Sequence, residues 1–210
     1  MRILKNILIL LLGIIFVYSC TPNRHSSYYR NLISKYPKRF IGHFPKYITN
    51  GIIDKTDNGE YDVTRLFLLQ KLEEDSINKL KDSIEKISLA IYDSNDTCLF
   101  IINKFTNEKN YTWPKKAPDN EIYNYLQKEC LKNKIPIPNF WGLYEEDFKT
   151  PLHLPYEYKI YVLESRKGLY WDKKHRSNGE YMPDDWKHGY SKGVAMNDKT
   201  HEIIYWFVLW

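Results

Sequence analysis

The last apolar run of the chain alternates without a polar face. Over 201–209, Ile203, Tyr205, Phe207 and Leu209 point one way, and Ile204, Trp206 and Val208 the other. A strand apolar on both faces predicts a central place in a sheet, or cover on both sides. The stretch 190–196 precedes it across Asn197-Asp198-Lys199-Thr200, a hairpin signal. Period-two patterns predict further strands over 60–70 (Tyr61, Val63, Phe67, Leu69) and 156–165 (Tyr158, Ile160, Val162). Arg166-Lys167-Gly168 then turns the chain into 169–171. Short apolar stretches over 88–93 and 97–103 flank Ser94-Asn95-Asp96 and predict a second hairpin.

Helical spacing is clearest at Ile77, Leu80, Ile84 and Ile87, which recur at +3, +4 and +3 and predict a helix over 73–87. Ser26 or Ser27 can cap a helix to about residue 35, with Leu32 and Ile33 inward, ended before Pro37. Asp119 or Asn120 can cap another to about residue 132, with Ile122, Tyr125, Leu126 and Cys130 inward. Residues 38–59, 104–118 and 139–155 read as loop. Ile135-Pro136-Ile137-Pro138 is extended, because a residue before proline avoids the helical region. Strands outnumber helices, and hairpins dominate. The expectation is a single α+β domain over 28–210, a mainly antiparallel sheet with two or three helices packed on one face.

The N-terminus follows a different pattern. Arg2 and Lys5 precede an apolar run from Ile7 to Val17, followed at once by polar residues. As a helix the run rises ~17 Å, short of a bilayer core of ~30 Å. It has the form of a secretory leader. Val17-Tyr18-Ser19-Cys20 resembles the lipobox of bacterial lipoproteins: Val17, Ser19 and Cys20 match, while Tyr18 stands where a small residue is usual. The resemblance covers about the first 20 residues. It implies removal of residues 1–19 as a signal peptide, lipidation of Cys20 and a short tether over 20–27, with the membrane as a partner through the lipid. The rival reading is an ordinary signal peptide cut near Ser19. No acidic residue follows Cys20 within 21–27, which in lipoproteins favours the outer membrane, facing the periplasm.

Removing Arg2 and Lys5 lowers the formal charge from +5 to +3. Such a balance does not point to nucleic acid. The 18 tyrosines accompany many Lys, Asn and Ile, a composition that an AT-rich genome encodes, so they say little about ligands. If Cys20 carries lipid, Cys98 and Cys130 remain as an even pair in an oxidising compartment, either bridged or as two buried thiols.

Candidate chemistry concentrates in 171–193, WDKKHRSNGEYMPDDWKHGYSKG. Asp184 or Asp185 with His188 would make an acid–base couple. Trp171, Tyr181, Trp186 and Tyr190 would make an aromatic wall for a sugar. The structural alternative has Asp184 capping a one-turn helix, with Trp186 plugging the core. Gly189-Tyr190-Ser191-Lys192-Gly193 has the spacing of a nucleophile elbow, but it enters a predicted hairpin strand and not a strand-to-helix turn. Asp54–Arg65 half matches a calcium loop, yet its last ligand position holds Arg65, a cation. The histidines (His25, His43, His153, His175, His188, His201) form no zinc pair. No metal and no cofactor is expected. The expected function is a lipid-anchored, non-enzymatic envelope domain that binds a protein or a polysaccharide. The alternative is an envelope hydrolase or carbohydrate binder built on 171–193.

Overall fold

Six strands form one antiparallel sheet in the computed structural model, which describes residues 24–56, 63–102, 104, 119–144, 150–155, 157–170, 172 and 182–210. The described chain falls into two compact units, one of 24–37 with 45–50 and one of 38–44 with 51–210.

The first unit holds helix α1 (Arg24–Ile33). Tyr29, Leu32 and Tyr36 recur at +3 and +4 and are buried, as is Ile48. The Tyr29 hydroxyl donates to the Pro45 carbonyl (2.6 Å), and Arg30 sits 5.9 Å from the Tyr47 ring centre.

The second unit runs α2 (Lys38–Ile41), β1 (Ile52–Thr56), β2 (Thr64–Lys71), α3 (Glu74–Ile87), β3 (Ala90–Asp93), α4 (Asp119–Leu126), β4 (Lys159–Lys167), β5 (Gly189–Asn197) and β6 (Glu202–Leu209). Strand order is β1-β2-β6-β5-β4-β3. The doubly apolar β6 is therefore interior, as its pattern predicts. The β5–β6 hairpin also forms as read, with Tyr190 opposite Leu209 and Asn197 opposite Glu202.

The fold is α+β, but helices do not keep to one face of the sheet. On one face Phe40 of α2 stacks on Phe207 (5.6 Å) and meets Tyr190 edge-on (5.1 Å), while α3 lies along β4 with Tyr161 donating to Glu85 (3.3 Å). On the other face Phe67, Ile160, Val162, Ala195, Ile204, Trp206 and Val208 join a core with Leu99–Ile102, Tyr125 of α4 and the 131–143 segment. Phe140 anchors that segment, 5.3 Å from the Phe67 ring and 6.3 Å from Trp206. The reason is that β2, β5 and β6 are apolar on both faces, and each face must be covered.

Three further expectations are corrected. Residues 38–59 are not all irregular: they hold α2, fixed by the single buried Phe40, and β1, an edge strand recruited by β2 through Ile52–Leu69 to Thr56–Arg65 pairing. β3 does not pair with 97–103. It pairs with the start of β4, Ala90–Asp93 lying opposite Lys159–Val162. Leu99–Ile102 is instead buried in the core and meets extended backbone at the parallel bridge Ile101–Ile137. Finally, α4 stops at Leu126, and a separate 3₁₀ turn follows at Glu129–Leu131. The break turns Cys130 outward, where it is disulfide-bonded to Cys98 with Cα atoms 6.0 Å apart.

The core also explains one glycine. A Cβ on Gly193 would strike the Tyr161 carbonyl oxygen and come within 2.6 Å of Trp206 Cζ2. The first obstacle is backbone and cannot swing away. Gly193→Ala is therefore expected to cost about 1–3 kcal/mol by overpacking, seen as a lower urea midpoint with unchanged slope. An unchanged midpoint would show that β4 and the indole can shift away from position 193.

Candidate binding site

The window 171–193 is broken up by the sheet. Trp171, Tyr181 and residues 173–180, His175 among them, lie outside the described residues. Pro183, extended, opens a 3₁₀ turn Asp184–Trp186, so Asp184 begins the turn and does not cap it. The Trp186 amide donates to the Pro183 carbonyl (2.8 Å). Its own carbonyl accepts the Trp210 indole N–H (2.7 Å), and its ring lies 6.0 Å from Trp210 and 6.4 Å from Phe100. Trp186 thus closes one end of the large core. Tyr190 belongs to the opposite face, where it donates to Glu164 (2.6 Å) and meets Tyr170 edge-on (4.7 Å). Trp186 and Tyr190 cannot share one aromatic wall, because β5 lies between them.

The titratable candidates also separate. Asp184 and Asp172 are exposed. Asp185 is ion-paired with Lys167 (2.5 Å), whose ammonium sits 4.9 Å from the Trp186 ring centre. His188 is half-buried, and its carbonyl accepts the Gly168 amide (2.9 Å). The elbow-like stretch 189–193 is strand throughout, with the Ser191 hydroxyl fully buried. Its two glycines have a packing role: a Cβ on Gly189 would meet Trp210 (2.8 Å), as one on Gly193 would meet Trp206 (2.6 Å). In the calcium-like stretch, Asp54 pairs with Arg65 (3.1 Å) across β1 and β2, and Arg65 lies 3.9 Å from the Trp141 ring centre. Residues 57–62 of that stretch lie outside the described residues. Among the described residues no three of His, Cys, Asp and Glu gather to hold a metal ion.

Asp185 and Trp186 instead line a cleft of about 520 Å³. The 3₁₀ turn 184–186 and Lys167 of β4 form one wall, and 126–135 forms the other. Phe100, Leu126, Leu131 and Ile135 supply its apolar floor. Lys128, Lys132, Lys134 and Lys167 line it with Asp185; outside the lining, Glu129 pairs with Lys132 (2.7 Å) and Asp96 with Lys134 (3.2 Å). The far wall is firmly held. Cys130 is bonded to Cys98, the Ile135 amide donates to the Tyr92 hydroxyl (2.9 Å), and Asn133 turns the chain at φ 67°.

The local field is positive. Lys104, 4.3 Å from the Tyr125 ring centre, has its pKa lowered, first by burial and then by the charge of Lys128. Sequence reasoning passed over these lysines. The stretch 127–134, QKECLKNK, shows their charge, but nothing local shows that Lys167 of a distant strand faces them.

A second cleft of about 530 Å³ lies at the β5–β6 turn, among Asn95, Glu157, Asn197, Lys199 and Thr200. Its polar groups are occupied with one another. Asn95 donates to Glu157 (2.9 Å), and Asn197 accepts the amides of Lys199 (2.9 Å) and Thr200 (3.1 Å). Beside it Tyr158 donates to Glu202 (2.7 Å) and shares a 2.6 Å contact with Tyr144. The Tyr158 hydroxyl is pushed far above its ordinary pKa, by burial first and then by Tyr144 and Glu202, so it remains a proton donor.

No helix of the described residues is long and apolar enough to cross a membrane. No protein-family model matches the chain, and neither a curated protein nor a solved structure matches it.

Proposed function

We propose that the chain is a lipid-anchored, non-enzymatic binding domain of the bacterial cell envelope, which engages an envelope protein or a polysaccharide through the cleft beside Trp186. The observation that carries the binding role is the cleft itself. An apolar floor ringed by cations, on walls fixed by a disulfide and a tryptophan pair, is the form of a preset recognition site. The location rests on the leader ending at Cys20 and on the Cys98–Cys130 bond, which suits an oxidising compartment. The anchor would hold the domain at the outer membrane, facing the periplasm.

Two measurements test this reading. Growth with a fatty-acid probe is expected to label the wild-type chain and not Cys20→Ser; equal labelling would remove the anchor. Trp186→Ala is expected to weaken binding to isolated envelope polysaccharide, or to the protein cross-linked at this cleft, at least about tenfold. Retention of both by the variant would move the site elsewhere.

A further inference from the structure

We infer that the lysine-ringed cleft is a site for a small amphiphilic anion: a carboxylate or sulfonate head among the ammonium groups, with an apolar body against the floor. This rests on the cleft being the binding site proposed above.

The lining selects the head. A lysine ammonium donates hydrogen bonds and accepts none, so Lys128, Lys132 and Lys167 lining one opening call for a ligand rich in acceptors. A neutral sugar offers as many donors as acceptors and would leave its hydroxyl protons poorly matched. Three of the four cations are also available; Lys134 is held by Asp96 (3.2 Å) and lies 4.9 Å from the Tyr92 ring centre. Lys128 forms no ion pair among the described residues. Lys132 is tied to Glu129 with both side chains largely exposed (69 % and 81 %), and Lys167 to Asp185 likewise (48 % and 66 %). Exposed pairs of that kind contribute ~0–1 kcal/mol, so an incoming anion can displace them.

The floor selects the body. A bare inorganic anion would leave Leu126, Leu131, Ile135 and Trp186 facing water, whereas a ring system or short acyl chain covers them. A volume of about 520 Å³ suits a molecule of small-ligand size. The walls need little reordering on binding, since 126–135 is held by the Cys98 bond and by Tyr92.

The test uses the full chain carrying Cys20→Ser, so that no acyl group competes. Anilinonaphthalene sulfonate is the probe, titrated by fluorescence. Saturable binding of one probe per chain is expected, with a dissociation constant on the order of 10 µM. Laurate is expected to displace it and dodecanol to do so at least about tenfold less well. Lys128→Glu with Lys132→Glu is expected to weaken the probe at least about tenfold, while Lys79→Glu with Lys86→Glu, the same charge change on α3, leaves it unchanged. Both lysines of the double variant are exposed, so its melting temperature serves as the folding control. If that control fails, the milder Lys128→Gln with Lys132→Gln takes its place.

Equal displacement by laurate and dodecanol would overturn the inference. So would probe binding that ignores the lysine variants, or binding only to phosphatidylglycerol vesicles. Loss of polysaccharide or protein binding in Trp186→Ala, without any probe binding, would sink this inference and leave the proposed function standing. Probe binding at the cleft, with Trp186→Ala neutral toward envelope components, would do the reverse.

Discussion

Replacing Cys98 and Cys130 together with serine is expected to lower the unfolding free energy by about 3–4 kcal/mol. The bond closes a loop with a sequence separation of 32 residues. In the chain-entropy account, the unbridged unfolded chain regains the freedom that this closure denied it, at about 4 kcal/mol for such a length. Serine at either position adds little of its own, because Cys98 is only half-buried and Cys130 exposed. Urea unfolding of wild type with and without reductant, beside the double variant, measures the effect. The reduced wild type and the variant are expected to coincide at a lower midpoint. Coincidence of all three curves would mean that the bond constrains nothing. The loss should also reach the cleft, since the wall from Lys128 to Ile135 hangs on Cys130.

Acid is expected to remove a comparable amount through one histidine. His43 follows α2 and sits over the Gly193–Trp206 pair of β5 and β6, where Gly193 has no side chain and the Trp206 indole lies in the core on the opposite face. The His43 Nε2 lies 3.1 Å from the Gly193 carbonyl and 3.0 Å from the Trp206 carbonyl, and the ring packs edge-on against Phe44 (4.8 Å). Its Nδ1 is buried without a hydrogen-bond partner. Burial first, and the Lys192 charge second, lower the pKa from 6.5 to about 4, against the opposing pull of the two carbonyls.

The sign follows from that direction. Between pH 6.5 and 4 the unfolded chain binds a proton at this position that the folded chain refuses. Stability is therefore full above pH 6.5 and falls as the pH drops, by about 3 kcal/mol in total. Carboxylates add their own loss at lower pH. At Glu164, burial opposes ionisation, but hydrogen bonds from Lys192 and Tyr190 outweigh it and hold the group down at about 2. The window from pH 6.5 to 5.5 lies above the carboxylate losses, which begin as the unfolded glutamates protonate near pH 4.5. Unfolding midpoints of wild type and His43→Gln across it provide the check. Glutamine keeps an N–H for the carbonyls but cannot titrate, so its profile should be flat where the wild type slopes. Parallel profiles would assign the slope to other groups.

Elements with a strong local period were legible in the chain. The helix over 73–87 appears as Glu74–Ile87, because an apolar stripe at 3.6-residue spacing needs only one surface to lie on. The interior place of β6 was equally legible, since no arrangement exposes Ile203 to Leu209 on either face without cost. The wide spread of the cleft was not legible. Trp186 and Asp185 were singled out for aromatic and acidic character, yet their partners Phe100, Leu131 and Lys167 come from three segments far away in sequence. Tyr190 stands only four residues from Trp186 and still faces the other side of the sheet, because Trp186 lies in the 3₁₀ turn before β5 while Tyr190, within β5, points toward Phe40.

From the residue order alone came the positive start, the apolar run ending at Cys20, the antiparallel hairpin at the end and the strand-rich α+β class. Each depends on interactions within a few residues or on the polarity of one face. The pairing of β3 with β4, the cover on both sheet faces and the gathering of lysines from 128 to 167 depended on the folded chain. These are contests between distant partners for the same apolar surface or backbone edge. The winner is set by how well shapes and hydrogen bonds fit in three dimensions, which spacing along a chain does not encode.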